Sequence, residues 1–193
     1  NFFAEATLNG LRAISSRGSL IRKINFPKYI IVISGTISAL INLSINLLVV
    51  FVFILINGVS LSWSSFMVIP FVIELYIFAL ALAFLLGALN VKYRDTGYLW
   101  DIFLQAAFYA TPIIYPIQMV VDKSNTIAQI IMFNPVAQIA QDARYWLITT
   151  DTLRLVDLGP NWLMFIPLGI VVLTSVAAVL YFRRTSKYFA EFV

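Results

Sequence analysis

NGLRAISSRGSLIRKINFPK, residues 9–28, holds Arg12, Arg17, Arg22, Lys23 and Lys28 and no acid. The run that follows, Tyr29–Ile56, contains no charged residue at all. A cluster of cations flush against a membrane-length apolar span holds that end of the span on the cytoplasmic side. The rest of the chain can be oriented from this one junction by counting crossings.

Composition agrees. Of 193 residues, 61% are hydrophobic and 11% charged, against about 25% charged in a soluble domain. Mean hydropathy is +0.92. The expected fold is all-α, a polytopic helical membrane protein forming a single transmembrane domain over residues 1–193. A net charge of +4 belongs to the membrane edges, so no nucleic-acid partner is expected. The chain has no Cys and no His, which removes thiol nucleophiles, disulfides and nearly all zinc chemistry. The residues after Asn1 do not read as a signal peptide, and upstream sequence is expected.

A transmembrane helix needs roughly 20 apolar residues to cross about 30 Å of hydrocarbon. Four spans are predicted, over 29–57, 66–89, 98–115 and 162–182. Pro27 and Asn57-Gly58 punctuate the first, Asn90 ends the second, Pro112 and Pro116 close the third, and Arg183-Arg184 ends the fourth. With Lys28 inside, ten of the thirteen basic residues are cytoplasmic and the C-terminus is too. The external ones, Lys123, Arg144 and Arg154, share their segment with Asp122, Asp142, Asp151 and Asp157.

The external segment 117–161 is too apolar for an ordinary loop. Thr126–Phe133 and Val136–Leu147 are predicted as short helices, with Asn134-Pro135 as N-cap and first residue of the second. Two readings stand: helices dipping into the outer leaflet, or an interfacial hairpin resting on headgroups.

Polar residues within the spans are few. Ser34, Ser38, Asn42 and Asn46 recur every four residues along one face of the first span, suited to hydrogen-bonding a neighbouring helix. Glu74 sits in the outer part of the second span and is expected to face the interior or a wet vestibule. Asp101, Gln105, Phe108 or Tyr109, and Pro112 share one face of the third. With Tyr115 they would suit a glycan path, sugars stacking on aromatic rings; the same aromatics would also make an interfacial belt.

Catalytic signatures are missing. There is no G-x-x-x-x-G-K-[ST] loop, no G-x-S-x-G elbow and no H-E-x-x-H pair. A polytopic enzyme acting on lipid-linked sugars would have to rely on Asp95, Asp101 or Glu74. A passive membrane scaffold is the remaining bland reading.

KINFPK before the first span, NVKYRD in the inner loop, TPIIYP closing the third span, FNP and QDARYWL in the external segment, and RRTSKYFAEF near the end occur in a telling order. In that order the chain resembles the ABC type 2 permeases that export bacterial surface polysaccharides such as O-antigen, capsule and teichoic acid. The resemblance implies a permease subunit in the bacterial cytoplasmic (inner) membrane, working as a homodimer with a separate P-loop ATPase. ATP and magnesium would be held by that partner and no cofactor by this chain. A lipid-linked glycan would move outward. An exporter of drugs or other lipophiles is the alternative within the family.

Asn1–Leu8 would be the tail of the second of six family helices. Ala6–Lys23 would match the cytoplasmic coupling helix, with Leu8, Leu11, Arg12 and Ile14 against the ATPase and Arg17, Arg22 and Lys23 at the inner membrane face. The third-span face with Asp101, Gln105, Phe108, Tyr109 and Tyr115, together with Glu74, would line the path. Thr126–Leu147, with Asn134, Pro135 and Arg144, would form the external gate.

Overall fold

The computed structural model describes residues 1–18, 27–58 and 63–189. Among the described residues all regular structure is helical: α1 (Phe2–Ala13), α2 (Tyr29–Ile56), α3 (Val68–Lys92), α4 (Thr96–Ala110), α5 (Gln118–Val121), α6 (Asn125–Met132), α7 (Pro135–Leu147) and α8 (Phe165–Thr185). Among the described residues, three helical stretches are long and apolar enough to cross a bilayer, Tyr29–Ile56, Ser65–Lys92 and Asn161–Thr185. The latter two gain their first residues from 3-10 turns at Trp63–Met67 and Asn161–Met164. Only 11% of the most apolar stretch of α2 is buried, the exposure expected of a helix surrounded by hydrocarbon. Its end is punctuated as its sequence indicates: Gly58 takes φ +67° and returns its N–H to the carbonyl of Leu55, the left-handed helix stop that glycine permits without strain.

The expected third span is shorter than its apolar sequence. Helix α4 has 15 residues, about 22 Å at 1.5 Å per residue, short of the roughly 30 Å of hydrocarbon. It stops at Ala110 because Pro112 has no N–H to offer and its ring would clash with the preceding turn. Thr111 and Pro112 are buried, and the Thr111 hydroxyl donates back to the Ala107 carbonyl at 2.7 Å.

The chain forms two compact units, one of residues 1–48, 76–104 and 173–193 and the other of residues 49–75 and 105–172. In the first, α1 is the hub. Gly10 lies so close to Ala83 of α3 that a Cβ there would stand 2.3 Å from the Ala83 Cβ and 2.8 Å from its Cα. A Cβ on Gly87, one turn further along α3, would meet the Gly10 carbonyl oxygen at 2.9 Å. Ala83-x-x-x-Gly87 thus supplies a small-residue groove in which helix backbones meet, the packing that association within lipid favours. Asn90 Nδ2 donates to the Leu11 carbonyl at 3.2 Å and to Ser15 Oγ at 3.3 Å. Trp100 Nε1 donates to the buried Thr7 hydroxyl at 3.0 Å, and Asn42 Nδ2 donates to Glu5 at 2.7 Å. Ile14, Ile31, Val32, Val91, Phe182 and Phe189 close the core beside this crossing.

The second unit has its own core. Ile117, Ala128, Met132, Ala137, Leu155, Leu158 and Leu163 are buried together. Ser124 caps α6 by accepting from the Ile127 N–H at 3.4 Å, and Asn134 caps α7 by accepting from the Val136 N–H at 3.1 Å. Pro135 at the first position of α7 leaves no donor unsatisfied. The expected helix Thr126–Phe133 begins one residue earlier, at Asn125 just after its Ser124 cap, and the second starts at Pro135 after Asn134, as that pair indicates.

Candidate functional site

Three groups of residues carry functional expectations. In the basic segment, α1 is amphipathic and its apolar face is spent inside the chain. Leu11 is 1% exposed and Ile14 is fully buried, because that face packs on α3 and on the start of α2. Neither can touch another protein without unpacking the unit, which corrects the expectation that both lie on a docking surface. Leu8 is half-buried, while Arg12 and Arg17 are exposed, so these three form the accessible edge. Arg17 Nη1 reaches Ser34 Oγ at 3.5 Å. Arg22 and Lys23 lie outside the described residues. The polar stripe of α2 is exposed along Ser34, Ser38, Asn42 and Asn46, with Ser34 and Asn42 engaged by Arg17 and Glu5.

Of the residues expected to line a path, Asp101 belongs to the first unit, and Glu74, Gln105, Phe108, Tyr109 and Tyr115 belong to the second. Asp101 Oδ2 lies 3.7 Å from Arg12 Nη2, with the two side chains 40% and 65% exposed. It is thus an ion-pair partner of the basic segment. In water such a pair is worth only about 0–1 kcal/mol. Gln105, Phe108 and Tyr109 are exposed on α4, and the two rings meet edge to face with centroids 5.7 Å apart. Tyr115 lies beyond the end of α4 and donates to the Ala110 carbonyl at 3.3 Å.

Glu74 faces residues far from it in sequence. It lines a cavity of about 280 Å³ with Gln138, Asp142, Trp146, Arg154 and Phe71. On α7, Gln138, Gln141 and Asp142 are all buried, three polar residues at helical spacing on one inward face. Gln138 Nε2 donates to Asp142 Oδ2, and Gln141 Nε2 donates to the Pro112 carbonyl at 3.1 Å, which pins α7 to the bend after α4. The Gln138 and Gln141 Oε1 atoms are buried without a donor among the described residues, an omission that costs about 1–3 kcal/mol for each group. Arg154 lies flat over Tyr145, its guanidinium carbon 3.9 Å from the ring centroid, a cation–π contact. Its Nε is 3.6 Å from Asp157 Oδ2, while its backbone N–H donates to the same oxygen at 2.9 Å. The cavity offers hydrogen-bond acceptors from two carboxylates and an amide oxygen against one guanidinium, beside an indole face. Asn134 and Pro135 are structural elements of α7, as its cap and first residue. Arg144 sits in the last turn of α7, where a cation complements the helix carbonyls.

Burial raises the Asp142 carboxyl above the usual carboxylate range; the Gln138 hydrogen bond and the Arg154 charge oppose this, and the Asp157 charge adds to it. The folded chain therefore holds that proton more tightly than the unfolded chain. Stability falls as pH rises from about 4 through the raised folded value, and the loss is complete above it. Asp142→Asn keeps an oxygen for Gln138 to donate to and removes the buried charge. The variant is expected to melt higher than the parent at pH 7.5, with the advantage vanishing as the pH approaches about 4. An equal melting temperature at pH 7.5 would show that Asp142 is adequately solvated.

The buried polar face of α7 and the Gly10–Ala83–Gly87 crossing were both missed by reading the sequence. Their signals were present as Gln138, Gln141 and Asp142 at i, i+3, i+4, and as the small-x-x-x-small pair in the second span.

A family profile described as ABC-2 type transporter matches residues 1–145, covering the basic segment, α2 to α6 and most of α7. The chain is 31% identical over 126 residues to the "O-antigen export system permease protein RfbA" of Myxococcus xanthus, covering 64% of this chain and 47% of that protein. A Klebsiella pneumoniae protein of the same name is 28% identical over 137 residues, covering 70% of this chain and 52% of that protein. The chain spans about half the length of these relatives. With its membrane-length helices and a family match over most of its length, this multi-pass membrane protein belongs to the ABC-2 type transporter family.

Proposed function

We propose that the chain is part of the permease subunit of an ATP-driven exporter that moves a lipid-linked polysaccharide, of O-antigen or teichoic acid type, outward across the bacterial cytoplasmic membrane. The observation that carries this reading is the family match together with relatives named as O-antigen export permeases. The distribution of charge supports the orientation. The unit built around α1 holds ten of the thirteen basic residues, and the other unit holds Lys123, Arg144 and Arg154 among acids. On the positive-inside rule Lys28, Lys92, Arg94, Arg183, Arg184 and Lys187 lie at the cytoplasmic ends of the spans and residues 117–161 lie outside.

ATP is hydrolysed by a separate P-loop subunit, and two copies of the permease form the pathway. Closure of the nucleotide subunits is felt by the exposed edge of the basic segment, Leu8, Arg12 and Arg17. Because the opposite face of α1 is locked onto α3 through Gly10 and Asn90, a push on that edge moves helices rather than a loose loop. The exposed ring pair Phe108 and Tyr109 offers stacking faces to sugars, and the capped helices of residues 117–161 act as the outer gate.

The test is copurification. The full-length gene is expressed with its chromosomal neighbours, and the tagged permease is isolated in mild detergent. A P-loop ATPase is expected to come down with it. Arg12→Glu with Arg17→Glu, both exposed and so tolerated by the fold, is expected to lower ATPase recovery at least about tenfold, as reversal of two interfacial charges can cost several kcal/mol. No ATPase with the parent protein would overturn the exporter reading. Full recovery with the variant would place the coupling surface elsewhere.

A further inference from the structure

We infer that the unit built around α1 carries a binding site for a glycerophospholipid with a net negative headgroup, in a basic cavity where the start of α2 meets the end of α8. The cavity measures about 470 Å³, within the roughly 300–1,000 Å³ of small-molecule sites. Its polar rim is Lys28, Arg183 and Lys187, and its apolar wall includes Tyr29, Phe84 and Phe182. Among the described residues no carboxylate lines it. Arg183 and Lys187 have no ion-pair partner among the described residues.

Position and chemistry agree. Lys28 stands one residue before the membrane-length helix α2, and Arg183 is in the last turn of α8. The rim therefore lies where two apolar helices meet the aqueous edge, the depth of a lipid phosphate. The wall, with Phe182 only 7% exposed and edge to face with Phe84 at 4.9 Å, offers an apolar slot to the upper part of an acyl chain. Three cations around one cavity repel each other until an anion enters, and basic pockets between membrane helices are suited to anionic headgroups. With no carboxylate on the described rim, a choline or ethanolamine ammonium has nothing to pair with, so a zwitterionic lipid is disfavoured. Lys28 also helps to hold the fold, since its Nζ donates to the Ser186 carbonyl at 2.6 Å and stands 5.8 Å from the Phe189 ring centroid. Arg183 and Lys187, with no ion-pair partner among the described residues, are the cations that act on the ligand. Nothing in the site's chemistry depends on what the transporter moves.

The experiment titrates delipidated full-length protein with dioleoylphosphatidylglycerol or dioleoylphosphatidylcholine and counts bound lipids by native mass spectrometry. Phosphatidylglycerol is expected to bind at least about 25-fold more tightly than phosphatidylcholine, and Arg183→Gln with Lys187→Gln is expected to erase the difference, at about fivefold per cation. Equal binding of the two lipids by the parent, or undiminished selectivity in a variant with the parent's melting temperature, overturns the proposal. Should the variant fold poorly, a diazirine-bearing phosphatidylglycerol on the parent protein replaces it. Cross-links to peptides containing Tyr29, Phe84 or Phe182 support the site, and cross-links confined to other peptides overturn it. Displacement of bound phosphatidylglycerol by equimolar glycerol 3-phosphate would mark a free-phosphate site. Displacement at lower concentration by a polyprenyl diphosphate would assign the cavity to a transported lipid. Either result overturns the proposal.

Discussion

Gly10→Ala is expected to destabilise the protein by about 3 kcal/mol, the upper end of the usual overpacking cost, and to lower its melting temperature by about 10 °C. In an isolated helix the same change would help by about 1 kcal/mol, because alanine is the better helix former. Packing decides the sign here. The new Cβ would lie 2.3 Å from Ala83 Cβ and 2.8 Å from Ala83 Cα. The second of these is backbone, so no rotamer change can relieve it and α1 must move away from α3. That movement also strains the bonds from Asn90 to Leu11 and from Trp100 to Thr7. Adding Ala83→Gly removes the nearer obstacle and leaves the Cα, so the double variant should recover only part of the loss. Thermal melting of the detergent-solubilised protein, run as a double-mutant cycle, checks both. A Gly10→Ala protein as stable as the parent would show that α1 does not pack against α3 in this way.

Met132→Ala should be the costliest change in residues 117–161. Met132 is fully buried among Ile117, Ala128, Ala137, Leu155, Leu158 and Leu163, and truncating such a side chain costs about 2–5 kcal/mol through lost burial and the cavity left behind. Local opening of that core should open the chain at the partly buried Arg144 and Arg154 to trypsin. On spheroplasts expressing the full-length protein, cleavage in this segment is expected to rise at least about tenfold, since local opening follows the free energy of the cooperative unit. The core is confined to residues 117–163, so recovery of an ATPase should be unchanged while export fails. Unchanged cleavage would mean that Met132 does not hold the segment closed. Loss of the ATPase as well would mean that the two units do not fold independently.

Much of the architecture was readable because it follows from transfer energies and local chemistry. The uncharged run Tyr29–Ile56 can only be a membrane-length helix, and Asn57-Gly58 ends it because glycine alone turns left-handed without strain. Asn134-Pro135 starts a helix when a helix-forming run follows it, since cap and first residue act within one turn. The clustering of Arg12, Arg17 and Lys28 with Arg183 and Arg184 in one unit was likewise implied by charge alone. Family resemblance was equally available from the order of short motifs, and the match over residues 1–145 agrees with it.

What the tertiary structure alone decided is which faces meet. Leu11 and Ile14 look like docking residues on an amphipathic helix, but an apolar face is indifferent to whether its partner is the same chain or another one. Only the Gly10–Ala83 approach and the Asn90 bond show that the face is already taken. Asp101 reads only as an acid on α4, and its pairing with Arg12 at 3.7 Å is visible only in the tertiary structure. Glu74 has no partner within its own helix, and its cavity with Gln138, Asp142 and Arg154 joins residues up to 80 positions apart. Helical periodicity, capping and hydropathy act over a turn or a span and are written locally. Helix rotation and pairing depend on the summed packing of neighbours distant in sequence, and no local rule encodes them.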